Sequence, residues 1–132
     1  MNDTGEIERL LQTRVAALAR KDGASANAVL GKGIVAFELA GPLQLSSAQA
    51  TNDELTQAWL DSFDTGPEVT LQELSIHSDG DVAFCHSLNR LRGRHSDGKE
   101  IDLTMRSTLG FRRAGGEWKI IHAHTSLPRL SL

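Results

Sequence analysis

Three pairs of turn-forming residues divide the second half of the sequence: Asp79-Gly80, Asp97-Gly98 and Gly115-Gly116. Pairs of this kind are typical of two-residue hairpin loops, because glycine and aspartate tolerate the positive φ angles that such loops require. The segments between the pairs alternate apolar and polar residues, as strands with one buried face do. The pattern therefore predicts four consecutive antiparallel strands from residue 68 to the end of the chain.

The first half of the sequence instead carries helical spacing. Apolar residues recur at intervals of three and four between Ile7 and Leu18, which predicts an amphipathic helix. A short helix over residues 25–30, a strand from residue 33 that stops at Gly41-Pro42, and a third helix from residue 47 or 51 to residue 63 follow. Helices followed by consecutive strands predict an α+β fold with the helices on one face of the sheet.

Composition bounds the class of protein. The 132 residues, of which 39% are hydrophobic and 23% charged, suit one globular domain with a single core. The net charge of -3 gives no reason to expect a nucleic acid or an anionic membrane as partner. A single cysteine excludes an internal disulfide, and the N-terminus is unlike a secretory signal, so a reducing cytoplasm is the expected location. The absence of tyrosine excludes a phenol as catalytic proton donor.

Hairpin geometry assigns the side chains near the end of the chain to the two faces of the sheet. A two-residue turn at Gly115-Gly116 pairs Leu109 with His122 and Ser107 with His124. Leu109 belongs to the apolar positions of its strand. Both histidines are therefore predicted to lie on the face that the helices cover.

The turn at Asp97-Gly98 places a third histidine in the same way. A two-residue loop there pairs His86 with Leu109 and Leu88 with Ser107. His86 and Leu88 are therefore also predicted on the face covered by the helices. The neighbouring cysteine, Cys85, is predicted on the opposite face as a small packing residue rather than a nucleophile.

The predicted polar cluster consists of His86, Ser107, His122 and His124. Its imidazoles are either satisfied core histidines, bonded to Ser107, Ser126 or a backbone carbonyl, or the lining of a cavity in which a few polar groups orient a ligand. A metal site that adds Glu38 to the histidines is the weaker alternative, because a His-x-His pair alone is a weak signal. No Ser/His/acid triad and no nucleotide-binding glycine loop is present, and no cofactor is predicted.

The order of the elements and several segments resemble a known superfamily. The segments are VAFCHSLNRLRG, DGKEIDLTMRSTLGFRR and WKIIHAHTS, and the strand GIVAFELAGPL stands between the second and third helices. Nearly the whole chain resembles nuclear-transport-factor-2-like proteins, with SnoaL-like or ketosteroid-isomerase-like proteins as the closest subset. WKIIHAHTS is similar also to the tail of the association domain of calcium/calmodulin-dependent kinases.

The resemblance implies both a shape and a mode of assembly. It implies one SnoaL-like domain over residues 1–132, in which a cone-shaped, strongly curved antiparallel sheet wraps the N-terminal helices and encloses a ligand cavity. It also implies a homodimer formed through the outer sheet face, where Arg106, Thr108 and Thr125 would make contacts. The superfamily hosts many activities, so the resemblance is informative about fold and less so about function.

Residue by residue, the resemblance implies a partial active site. In ketosteroid isomerases the general base is a carboxylate on the first strand, and Glu38 stands at the matching position. The helix tyrosine of those enzymes aligns with Arg14 and their second acid falls near Ser107, so the oxyanion hole is missing and steroid isomerisation by that mechanism is disfavoured. Glu38 is then the expected proton acceptor, Arg14 a charge stabiliser, and His86 and His124 hydrogen-bond donors. An ion pair between Glu38 and Arg14, or simple solvation of Arg14, is the structural alternative.

Two functions remain open at this point. The first is an acid–base isomerase, cyclase or hydrolase that acts on an apolar carbonyl-containing substrate. The second is a ligand-binding or dimerisation module without turnover. In either case the expected ligand is small and apolar or anionic, and the residues predicted to contact it are Trp59, Leu88, Ser107, Leu109 and His122.

Overall fold

Four helices and five strands make up the part of the chain that the structure describes. The computed structural model describes residues 2–131. The helices are α1 (Asp3–Ala19), α2 (Gly23–Asn27), α3 (Ser47–Ala50) and α4 (Asp53–Asp61), and the strands are β1 (Leu30–Phe37), β2 (Phe63–Asp79), β3 (Val82–His95), β4 (Glu100–Ala114) and β5 (Glu117–Ser126). The order follows the prediction of helices first, interrupted by one strand, and then a continuous run of strands.

Side-chain caps determine where the helices begin. The Asn2 side chain caps α1 and the Asp22 side chain caps α2, each by accepting a backbone hydrogen bond. The predicted third helix is two helices, because the Asn52 side chain accepts a hydrogen bond from the Leu55 N–H and starts α4 anew after α3. None of the helices within residues 2–131 combines the length and hydropathy needed to cross a membrane.

The strands form one mixed sheet in the order β1-β5-β4-β3-β2. β2 to β5 pair antiparallel through consecutive hairpins, as predicted. β1 corrects the all-antiparallel prediction, because it lies parallel to β5, from which most of the chain separates it. β1 ends at Phe37, so Glu38 lies just beyond the strand rather than within it.

α1 lies across the sheet. This helix contacts β2 at one edge of the sheet and also contacts β5, three strand positions away. Its 17 residues form a rod about 25 Å long, which spans the roughly 14 Å between β2 and β5. The helix therefore covers one face of the sheet, in agreement with the predicted α+β architecture. We call the side that faces the helices the inner face and the opposite side the outer face.

Two separate hydrophobic clusters lie between the helices and the inner face. The main cluster consists of Ile7, Leu11, Ile34, Ala83, Cys85, Phe111, Trp118 and Ile120. The smaller cluster joins the end of α1 to α2 and α4 and consists of Ala17, Leu18, Ala26 and Leu60, with Val69 packed against it. Because the two clusters are separate, polar side chains can occupy the part of the inner face that lies outside them.

Arg113 fixes the beginning of α1 on the sheet. Its guanidinium lies 2.7 Å from the Asp3 carboxylate and 3.0 Å from the Asp81 carboxylate, which belongs to the turn between β2 and β3. The same group lies 4.9 Å over the Trp118 ring, at a distance typical of a cation–π contact. These contacts hold the helix that carries Arg14 in a defined position over the inner face.

Candidate functional site

The loop between β3 and β4 contains three residues rather than the predicted two. The His95 N–H donates to the Lys99 carbonyl at 2.8 Å, which leaves residues 96–98 in the loop. As a result Ser87 pairs with Ser107, and the whole regular ladder between β3 and β4 is shifted by one residue from the predicted register. A shift of one residue moves every side chain of a strand to the other face. The predicted assignment of β3 to the two faces is therefore wrong.

The corrected register exchanges His86 and Cys85. His86 pairs with Thr108 and Leu88 pairs with Arg106, so both predicted site residues lie on the outer face. Cys85 pairs with Leu109 on the inner face, where it is 2% exposed. Burial raises the pKa of the Cys85 thiol to about 11, which keeps it protonated at neutral pH and agrees with a packing role.

A bulge in β5 moves the other two histidines to the outer face. The Gly115-Gly116 turn has the predicted geometry, and Phe111 pairs with Ile120 as expected. The next pair joins Gly110 to His122, so Ile121 is an extra residue without a partner. His122 and His124 therefore share the outer face with Gly110 and its neighbours. The prediction that they face the helices is wrong.

On the outer face the histidines make contacts among themselves and with aromatic rings. The His122 Nδ1–H donates to the Val35 carbonyl at 2.8 Å, and the Phe37 ring lies edge-on to His122 at 5.0 Å and to His124 at 5.3 Å. A second group, His77, Phe84 and His86, stacks with ring centroids 4.8 to 6.5 Å apart. The metal set suggested above is not assembled, since no group of three or more potential metal ligands converges within residues 2–131.

The inner face carries a row of hydroxyl groups in place of the predicted histidines. Ser107 pairs with Ser87 on one side and Thr125 on the other, so the row crosses β3, β4 and β5. Ser87 and Ser107 are buried, and the Ser87 hydroxyl donates to the Asn89 side chain at 2.6 Å. Thr125 was predicted on the outer face, and its pairing with Ser107 corrects that assignment. We call Ser87, Ser107 and Thr125 the hydroxyl row.

Arg14 extends from α1, and its side chain makes no hydrogen bond or ion pair with the residues that the structure describes. Its Nε is enclosed by protein and has no hydrogen-bond acceptor within residues 2–131, and none of the ion pairs in that part of the chain includes Arg14. Burial lowers the pKa of the guanidinium, and the Glu38 carboxylate acts in the opposite direction. An arginine stays charged in either case, so a positive charge is held here without a direct counter-charge from residues 2–131.

Glu38 lies close enough to Arg14 to interact with its charge. Solvent reaches the Glu38 side chain, yet the surrounding protein removes enough hydration to raise the pKa of the carboxyl group, against the opposing positive charges of Arg14 and His124. The two side chains form no ion pair, so the alternative of an Arg14–Glu38 contact that merely fixes the helix is not realised. The charges of Arg14 and Glu38 thus influence each other without an ion pair.

The remaining predicted contacts are dispersed. Leu109 lies on the inner face and packs against the main cluster. Trp59 is 43% exposed on α4, edge-on to Phe63 with ring centroids 5.2 Å apart.

One surface depression of about 410 Å³ opens between α2, β1 and the α3–α4 region. Another of about 280 Å³ includes His86 and Leu88, and neither is lined by Arg14 or Glu38.

The raised pKa of Glu38 predicts a measurable cost in stability. The folded protein holds the Glu38 proton more tightly than the unfolded chain, so the contribution of Glu38 to the free energy of unfolding is greatest below the ordinary carboxyl pKa of about 4.3 and is lost as pH rises through the folded value. We expect Glu38→Gln to raise the melting temperature at pH 7 by roughly 1 to 3 °C and to weaken this pH dependence. Thermal unfolding at several pH values measures both, with Glu8→Gln on the exposed side of α1 as control. A lower melting temperature for Glu38→Gln contradicts the expectation.

The fold and the comparisons with known proteins define the class. Helices on the inner face of a mixed sheet form the nuclear-transport-factor-2-like architecture. The family model of the SnoaL-like domain matches residues 7–129, and the chain belongs to this family. No curated protein matches the sequence.

Solved structures agree with this assignment. An NTF2-like protein of unknown function from Pseudomonas putida KT2440 is 29% identical over 97% of this chain and 89% of that chain, with a TM-score of 0.75. The association domain of the C. elegans CaMKII is 18% identical over 94% of this chain and 95% of that chain, with a TM-score of 0.72. An NTF2-like protein with a cystatin-like fold from Novosphingobium aromaticivorans is 16% identical over 98% of this chain and 84% of that chain, with a TM-score of 0.75. The predicted superfamily and fold are confirmed.

Proposed function

We propose that this chain is one SnoaL-like domain that binds a small molecule on its inner face and performs acid–base chemistry on a carbonyl group there. The observation that carries the proposal is that the enclosed Nε of Arg14 has no hydrogen-bond acceptor within residues 2–131, while the charge of the same group acts on Glu38, a carboxyl group of raised pKa. Charged groups left without direct partners are costly in a fold that serves stability alone. They are the expected components of a site that waits for a ligand.

The two groups divide the chemistry between them. A carboxyl group with a raised pKa is a stronger base than an ordinary one and can remove a proton next to a carbonyl group near neutral pH. The Arg14 guanidinium stabilises the negative charge that then develops on the carbonyl oxygen. Leu109 and the hydroxyl row provide apolar and polar contacts on the same face, and His124 acts through its charge on Glu38. His86, His122 and Leu88 have no part in this site, because the register places them on the outer face.

Proton exchange tests the base directly. A panel of small cyclic and aromatic ketones is incubated with the protein in D₂O, and deuterium incorporation next to the carbonyl group is followed by NMR. We expect Glu38→Gln to reduce the exchange of any accepted ketone by roughly 10²- to 10⁴-fold, the usual contribution of a general base. Glu8→Gln is the matched control. Equal exchange rates in wild type and Glu38→Gln remove Glu38 from the mechanism.

A second candidate function is self-association through the outer face. β3 exposes three large apolar side chains there, Val82, Phe84 and Leu88, at 51%, 48% and 36% of their surfaces. Arg106 and Thr108 lie beside them on β4. Large apolar side chains grouped on an exposed sheet face are typical of an interaction surface. We propose that two copies meet here as a homodimer, a hypothesis that the similarity to an association domain supports.

Charge placed in the centre of this surface tests the homodimer. Phe84→Glu introduces a buried charge into the proposed contact, and we expect the dimer dissociation constant to rise by roughly 30-fold or more. Sedimentation equilibrium measures it. Leu43→Glu, at a fully exposed loop position away from the sheet, is the control. A wild-type protein that stays monomeric, or a Phe84→Glu variant that dimerises as tightly as wild type, contradicts the proposal.

A further inference from the structure

The environment of Arg14 restricts the charge of the ligand. A guanidinium presents five N–H donors in a fixed plane, and buried donors in proteins nearly always have acceptors. Within residues 2–131 the enclosed Nε has none, and Glu38 forms no ion pair with the group. Among the residues that the structure describes, the Arg14 Nε therefore has no acceptor and the guanidinium has no ion-pair partner.

The protein groups near Arg14 cannot supply both a hydrogen-bond acceptor and a negative charge. The hydroxyl row offers neutral oxygens, which accept hydrogen bonds but bring no charge. Glu38 stands at a distance and is drawn towards its neutral form by loss of hydration. A planar carboxylate supplies what is missing, because its two oxygens accept paired hydrogen bonds from one guanidinium and carry the compensating charge. A neutral carbonyl group supplies one acceptor and no charge.

We propose that the inner-face site takes a small molecule that bears a carboxylate group and that Arg14 binds this carboxylate. The inference deepens the proposed function, since it concerns the same site. It selects an anionic ligand from the two classes, apolar or anionic, that the sequence left open.

Calorimetric titration with matched ligands tests the charge requirement. Benzoate and acetate are compared with benzamide and acetamide, which have similar shapes and no charge. We expect a carboxylate to bind wild type and its amide to bind at least ten times more weakly. Arg14→Met should weaken carboxylate binding by roughly 10- to 100-fold, the usual worth of hydrogen bonds to a charged group. Arg9→Met, an exposed arginine on the same helix, should leave it unchanged.

Arg14→Lys protects the test against a variant that fails to fold. Lysine keeps the charge and loses the planar pair of donors, so its affinity should lie between those of wild type and Arg14→Met. Failure of both carboxylates to bind wild type, equal binding of the amides, or unchanged binding by folded Arg14→Met and Arg14→Lys overturns the assignment of the anion site. The result is separable from the proposed function, because a protein that binds carboxylates but exchanges no ketone protons keeps the anion site and loses the acid–base chemistry.

Discussion

The Phe111→Ala variant should lose about 3–5 kcal/mol of the free energy of unfolding, the range measured when a buried phenylalanine is truncated. Phe111 is 1% exposed in the main cluster, and its pair with Ile120 is the last regular one before the bulge at Ile121. Truncation leaves a cavity at the place where the inner face is fixed against α1. Denaturant unfolding monitored by circular dichroism measures the loss.

A matched substitution separates this cavity from any general effect of alanine. Leu43 is fully exposed in the loop after β1, so Leu43→Ala should change the free energy of unfolding by no more than about 0.5 kcal/mol. A loss below about 1 kcal/mol for Phe111→Ala would mean that the surrounding side chains collapse into the vacated space, and that the main cluster is less rigid than its burial indicates.

Gly93→Ala should also be strongly destabilising, although it adds only one methyl group. A Cβ at this position in β3 would lie 2.8 Å from the Phe63 ring and 2.9 Å from the Thr65 carbonyl oxygen. Phe63 is 2% exposed and stacks on His95 with ring centroids 4.5 Å apart, so its ring has little freedom to move. The added methyl group overpacks this corner, and we expect a loss of about 1–3 kcal/mol in the free energy of unfolding.

Gly110→Ala is the control for Gly93→Ala, because it is a strand glycine with room for a side chain. The nearest atom to its added Cβ is the His122 Cβ at 3.5 Å, an ordinary contact distance. Alanine there reduces the conformational entropy of the unfolded chain, so the variant should be as stable as wild type or more stable by about 0.4–1 kcal/mol. Similar losses in both variants would assign the effect to strand glycines in general rather than to the contact with Phe63.

The elements of the fold were predictable because they depend on local pattern. The spacing from Ile7 to Leu18 and the turn residues of the second half were enough for the helices, the hairpins and the α+β class. The parallel pairing of β1 with β5 was not, because it joins segments far apart in sequence and no turn specifies it. The break between α3 and α4 was missed although Asn52 is a residue type that caps helices.

The assignment of side chains to faces failed for two local reasons. The loop after His95 holds three residues. The polar residues before Gly98 are compatible with that length, but the Asp-Gly pair alone predicts a loop of two. The bulge at Ile121 leaves no mark in the sequence. Each adds one residue, and each moves histidines from the inner to the outer face. The three-residue loop also places Ser87 and Asn89 on the inner face, and the bulge places Thr125 there. A prediction that allowed for a loop of three residues would have identified Ser87 and Asn89.

The positions of Arg14 and Glu38 were predictable from a family resemblance rather than from the local sequence pattern. The resemblance to ketosteroid isomerases selected both positions, and the structure brings them near each other without an ion pair. The absence of an acceptor for the Arg14 Nε could not be predicted, because it depends on every surrounding side chain rather than on any spacing. The register and the enclosure of a single atom are both properties of the assembled fold.

The loop that joins β3 to β4 acts together with the buried inner face to fix one register. Moving β3 by one residue would bring His86 under the helices and expose Ala83 and Cys85, which belong to the main cluster. In homologues that gain or lose one residue here, we therefore expect the loop to absorb the change, so that the polar and apolar positions of β3 keep their order.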